Sequence, residues 1–153
     1  MKLRLATIGY EQATVASFLE TLRGAGIDLL VDVRAAARSR RPGFAKTALA
    51  ANLSTAGIEY LHLPGLGTPA AGRTAARGGD FEGMKAVFLD HLQTPQAIAG
   101  LHALRELVQS GRNVCILCLE ADPTHCHRSL VADAFTAQTP ADIEHLHPDE
   151  SQE

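Results

Sequence analysis

The run Val114–Leu119, VCILCL, is an almost uninterrupted apolar stretch bounded by polar residues. It is far too short to cross a membrane, and a β-rich run of this length with no polar alternation is the pattern of a strand covered on both faces, as in a parallel sheet. Ile27–Val33 (IDLLVDV) repeats the pattern, while Leu3–Ile8, Ile58–Leu63 and Ile143–Leu146 are shorter β-prone segments. Helical signals lie between them. Val15, Phe18, Leu19 and Leu22 recur at i, i+3, i+4 and i+7 behind Thr14 as N-cap, and Lys46 to Ala56 reads as a second helix closed by Gly57. Asp80 opens a third around Met84, Val87 and Phe88. Thr94-Pro95 sets an N-cap and N1 pair for a fourth, and Asp122-Pro123 offers another N-cap and N1 for a fifth, which starts at or just before Cys126.

Strands alternating with helices predict an α/β three-layer sandwich. Its mostly parallel sheet of about five strands is flanked by helices through right-handed crossovers. A length of 153 residues fits one domain with one core. Residues 64–79 carry five glycines without periodicity and read as a lid or a disordered loop. Residues 147–153 read as an acidic tail.

Composition narrows the function. Aromatics are 5% of the chain and Trp is absent, which disfavours a platform on which successive bases stack. The net charge of −3 hides an asymmetry, because five acids and no Lys or Arg fall in residues 140–153 and leave the body at +2. Eleven of the fourteen cations are Arg, the better fork for carboxylate and phosphate. Three cysteines in a chain of this size suggest no disulfide framework and a reducing compartment. The amino end lacks a signal-peptide core, and no apolar run reaches 18 residues, so a cytoplasmic protein without a membrane partner is expected.

Open parallel sheets bind ligands beyond the carboxyl ends of their strands. Gly9-Tyr10-Glu11, Asp32 to Lys46, the Gly-rich segment and Cys118 to Arg128 occupy those places. Arg34, Arg38, Arg40, Arg41 and Lys46 crowd thirteen residues that contain no acid, and such a cluster calls for an anion or for solvent. Asp32, a carboxylate in an apolar strand, needs a partner, and Arg34 or Arg128 would serve.

A helix start presents unpaired N–H groups, which attract anions and favour a thiolate. Cys118 or Cys126 can therefore be a nucleophile, with Arg128 clamping the same anion. The other reading is that both cysteines only pack. Cys115 and Cys118 point to opposite faces of a strand and do not chelate. Cys126 and His127 diverge by about 100° on a helix, so a zinc site would need Cys118, Glu120 or His62 as well, and no metal or other cofactor is expected. Gly67 to Thr74 nearly spells a phosphate loop with Arg73 in place of Lys. The next five residues, Ala75-Ala76-Arg77-Gly78-Gly79, read as too short and too Gly-rich for the helix that the motif requires.

Four blocks together resemble domain-of-unknown-function family 488, small uncharacterised prokaryotic α/β proteins. They are Thr7-Ile8-Gly9-Tyr10-Glu11; Val31-Asp32-Val33-Arg34 leading to Ser39-Arg40-Arg41-Pro42-Gly43-Phe44; Gly57-Ile58-Glu59-Tyr60 to Leu66-Gly67; and Cys118 to Arg128 in the order C-x-E-x-x-P-x-x-C-H-R. The resemblance implies an α/β fold and supplies no reaction. A looser similarity is to rhodanese-like and cysteine-phosphatase domains, in which an apolar strand ends in a Cys-bearing loop before a helix. The chain lacks their tight Gly-containing cradle, since nine residues and no glycine separate Cys118 from Arg128.

The expected function is binding of an anionic ligand, a phosphate-bearing small molecule or a nucleic acid, at the carboxyl edge of the sheet. Tyr10, Arg34, Arg38, Arg40, Phe44, His127 and Arg128 are the candidate binding residues. Cys118, Cys126, Glu120, Asp32 and Glu11 are the candidate catalytic ones. The alternatives are a non-catalytic nucleic-acid or protein-binding module and a rhodanese-like or phosphatase-like thiol enzyme. Oligomeric state is not legible in these residues.

Overall fold

The computed structural model describes residues 3–120, 122 and 126–148. Five strands, β1 (Arg4–Gly9), β2 (Leu29–Asp32), β3 (Glu59–His62), β4 (Val114–Cys118) and β5 (Asp142–Leu146), form one sheet in the order β3-β2-β4-β1-β5, every pair parallel. The helices are α1 (Val15–Gly24), α2 (Lys46–Thr55), α3 (Ala70–Arg77), α4 (Phe81–His91), α5 (Pro95–Gln109) and α6 (His127–Gln138). The expected α/β sandwich is the observed one.

Alternation along the central strands divides the interior into two apolar layers. Leu30, Cys115 and Leu117 face one layer with Phe18 and Leu22 of α1 and Leu49 and Leu53 of α2. Val31, Ile116 and Cys118 face the other with Met84 and Phe88 of α4, Leu104 and Val108 of α5, and Val131 and Phe135 of α6. Since β1→β2→β3 progresses one way across the sheet and β3→β4→β5 the other, right-handed crossovers place α1 and α2 on one face and the later helices opposite. β4 and β2 are covered on both sides, which is why their sequences are continuously apolar.

Local chemistry accounts for the helix starts. Thr14 caps α1 through a reciprocal hydrogen-bond pair with Ser17, Asp80 accepts from the Gly83 N–H, and Thr94 accepts from the Ala97 N–H ahead of Pro95.

Two expectations are corrected. Residues 64–79 are not an irregular loop: a 3-10 turn at Pro64–Leu66 leads into α3, whose sequence AAGRTAAR is half alanine, the best helix former. α6 begins at His127, close to the expected start, but its N-cap is Cys126 and not Asp122; Pro123 lies outside the described residues.

Two glycines are required by close approach of backbone. A Cβ on Gly9 would sit 1.7 Å from the Glu120 carbonyl oxygen, and one on Gly67 would sit 2.3 Å from Ala35 Cα. Gly9 lets the β1 and β4 exits lie side by side, and Gly67 lets the segment before α3 fold down over the exit of β2.

Candidate active site at the carboxyl edge of the sheet

A cleft of about 630 Å³ opens where β1, β2 and β4 end. Its walls are Tyr10 and Glu11 after β1, Arg34, Ala35, Ala36 and Arg38 after β2, Thr68, Arg73, Ala76 and Arg77 around α3, Phe81 and Met84 of α4, Cys118 at the end of β4 with Leu119, Glu120 and Asp122 beyond it, and His127 of α6. The loops after β1 and β4 are tied together, since the Tyr10 N–H donates to the Cys118 carbonyl at 3.3 Å and the Glu11 N–H to the Leu119 carbonyl at 2.8 Å.

One wall is a rigid ion-pair network. Asp32 and Arg34 are bidentate partners, Nε to Oδ1 at 2.9 Å and Nη2 to Oδ2 at 2.7 Å, with Asp32 fully buried. Tyr60 donates its hydroxyl to Asp32 Oδ2 at 2.6 Å, and Arg34 Nη1 donates to the Tyr10 hydroxyl at 3.2 Å and the Phe44 carbonyl at 2.9 Å. Burial and the bond to Asp32 raise the pKa of Tyr60. Burial works against the Arg34 charge, but the Asp32 carboxylate outweighs it and raises the guanidinium's pKa. Of the two partners foreseen for Asp32, Arg34 is the one present.

Phe44 is 1% exposed and stacks on Tyr10 with ring centroids 4.7 Å apart. It supports the wall from behind and does not line the cleft.

Arg38, Arg73 and Arg77 are exposed along the rim. Arg40 is exposed but lies outside the lining. Arg128 is corrected as an anion clamp: it is 0% exposed, with Nε donating to Thr7 Oγ1 at 3.2 Å and Nη1 donating to the Glu120 carbonyl, so it fastens α6 to β1 and to the exit of β4. Thr7 Oγ1 also meets His145 Nδ1 at 2.6 Å. A guanidinium can only donate, so Thr7 Oγ1 is the acceptor from Arg128.

On the floor, Cys118, Cys126 and His127 converge. Cys118 Sγ is 3.4 Å and Cys126 Sγ 4.0 Å from His127 Nδ1, and the three donor atoms all lie within 4.8 Å of one another. His127 Nε2 donates to the Val33 carbonyl at 2.7 Å. A carbonyl only accepts, so Nε2 carries the hydrogen and Nδ1 of the neutral ring turns its lone pair toward the thiols. The Phe88 and His127 rings meet edge-to-face with centroids 5.2 Å apart.

Adjacency on a helix argues against this grouping. As N-cap, however, Cys126 has extended backbone (φ −129°, ψ 144°), and the 100° helical divergence does not apply to it. His62 is not part of the group; its Nε2 lies 2.7 Å from the Arg34 carbonyl oxygen.

The thiols differ. Cys126 is 1% exposed, and burial pushes its pKa well above the ordinary value. Cys118 is 6% exposed, lines the cleft, and lies 3.9 Å from Glu120 Oε1. Burial alone would lower the pKa of His127, but its bonds to Cys126 and the Val33 carbonyl, with the Glu120 charge, raise it. Cys115 belongs to the opposite layer, where burial raises its pKa.

Sequence reasoning missed Arg73, Arg77, Thr68, Phe81 and Met84 as cleft residues. The alanine content of 70–77 was the available signal, since a helix there brings Arg73 and Arg77, four apart, to one face.

Fold and floor together define an α/β protein with a parallel sheet and a Cys–His pair at the end of its central strand. The chain belongs to the family described as "Domain of unknown function DUF488", whose model matches residues 14–135. No curated protein and no solved structure matches it. Among the described residues, no helix is long and apolar enough to cross a membrane.

Proposed function

We propose that the chain is a thiol-dependent enzyme that binds a small anionic substrate, phosphate- or carboxylate-bearing, in the cleft. The Cys118 thiolate bonds to the substrate's electrophilic centre as that centre's bond to its leaving group breaks, and the leaving group departs with the proton that His127 took from the thiol. The observation that carries this reading is the order Cys118 Sγ, His127 Nδ1, His127 Nε2, Val33 carbonyl. It is a nucleophile within reach of a base that a third group holds in the required tautomer. His127 takes the thiol proton, and Glu120 and Glu11 stand at the same cleft for a second proton transfer. Arg38, Arg73 and Arg77 provide cationic forks along its rim.

A thiol at the end of a central strand ahead of a helix is also how rhodanese-like and cysteine-phosphatase domains hold their nucleophile, an analogy of placement alone. The acids Glu11, Glu120 and Asp122 share the cleft lining with the arginines, which suits a compact ligand of limited charge better than a nucleic-acid backbone.

The test compares anionic iodoacetate with neutral iodoacetamide on the reduced protein, with each cysteine followed by peptide mapping. Cys118 is expected to react first, faster with iodoacetate, and to be protected by inorganic phosphate; Arg38→Ala with Arg77→Ala removes the preference for the anion. Equal rates with both reagents, or a Cys118 no faster than Cys115, refutes the reading.

A further inference from the structure

The convergence on the cleft floor has a second chemical meaning that does not depend on nucleophilic attack. We infer that Cys118 Sγ, Cys126 Sγ and His127 Nδ1 form a binding site for a thiophilic divalent cation of the zinc class, with its fourth coordination position open to the cleft.

Tetrahedral zinc, with bonds of about 2.3 Å to sulfur and about 2.0–2.1 Å to nitrogen, sets a sulfur and a nitrogen donor about 3.6 Å apart and two sulfurs about 3.8 Å apart. The two sulfur–nitrogen separations are 3.4 and 4.0 Å, and no pair of the three donors exceeds 4.8 Å. Shifts of a few tenths of an ångström to about one ångström therefore bring all three onto one ion. Two sulfurs with an imidazole are the soft and borderline donors that select zinc over magnesium or calcium.

The Nε2–H to Val33 carbonyl bond is the outer contact that metal-bound histidines use to fix ring and tautomer. Cys126, too buried to meet a substrate, gains a role as the ligand that reaches the ion from below. Three protein ligands with one position facing a cleft is the arrangement of zinc sites that exchange a water or an anion. Glu120, 3.9 Å from Cys118 Sγ, stands beside that position. With the ion bound, Cys118 is masked as a nucleophile, and an anion in the cleft becomes a ligand to the metal.

The experiment is cobalt(II) titration of the reduced, metal-free full chain, followed by competition with zinc and by zinc X-ray absorption on the wild type. One equivalent of cobalt is expected, with sulfur-to-metal charge-transfer bands and tetrahedral visible bands, both displaced by zinc. The zinc shell should hold two sulfurs and one imidazole nitrogen. Cys126→Ser should weaken cobalt binding by more than about 100-fold, beyond the range for loss of an outer-sphere partner. A shell of nitrogen and oxygen alone, octahedral cobalt spectra, or unchanged affinity in Cys126→Ser overturns the site, and the absorption measurement decides even if that variant does not fold. The thiol reading is read separately, from alkylation of Cys118 in metal-free protein, so either proposal can fall without the other.

Discussion

At the scale of single residues, position in the packed structure rather than side-chain type separates the arginines into two groups. Arg34 and Arg128 are buried and bonded to acceptors, Asp32 and Phe44 among them for one, Thr7 and Glu120 for the other. Arg38, Arg73 and Arg77 remain exposed at the cleft. A buried guanidinium leaves unsatisfied carbonyl and hydroxyl acceptors and a void when it is removed. Arg128→Ala is therefore expected to destabilise the fold by about 3 kcal/mol, measured by chemical denaturation. A loss below about 1 kcal/mol would show that the Thr7 and Glu120 contacts carry little. The charge cluster of residues 34–46 was plain in the sequence, but which cations turn inward was not, because burial depends on elements far along the chain. Asp32 is the partial exception, since an acid in an apolar strand announces a partner.

At the scale of elements, strands and capped helices follow from periodicity and turn chemistry, and α3 was concealed by its neighbours. Glycines at 65, 67, 72, 78 and 79 obscure eight residues that are half alanine. Gly67 has a tertiary reason for being there, because it passes against the backbone of Ala35. Gly67→Ala is expected to cost roughly 1–3 kcal/mol by overpacking and to displace α3, with weaker phosphate protection of Cys118 as its second readout. Gly24→Ala, at a site with nothing within 4 Å of the added carbon, is the control and should be neutral or slightly stabilising. Equal effects of the two substitutions would mean that the contact with Ala35 does not govern the placement of α3. The helix start at Cys126 illustrates the same limit: Asp122-Pro123 is a legitimate starting signal, yet the extended backbone of Cys126 decides where its thiol points.

At the scale of the whole molecule, the sheet order puts β4 at the centre between β2 and β1 and leaves α3 packed mainly on α4 at the margin of the cleft. Hydrogen exchange should therefore be slowest in β4, β2 and β1 and markedly faster in α3, whose buried surface is limited to Gly72 and partly covered alanines. Protection of α3 equal to that of β4 would show that the cleft wall is part of the cooperative core. The sequence by itself determined the α/β class, the parallel sheet and the edge at which the cleft opens, because backbone sterics, apolar periodicity and capping act over a few residues. Only the tertiary structure decided that Cys118, Cys126 and His127 meet on one floor, that Arg128 is a fastener, and that Arg73 and Arg77 face the cleft. Those outcomes depend on which face of each helix packs on the sheet and on contacts between residues as far as 121 positions apart, as Arg128 is from Thr7, and no local window of sequence carries that information.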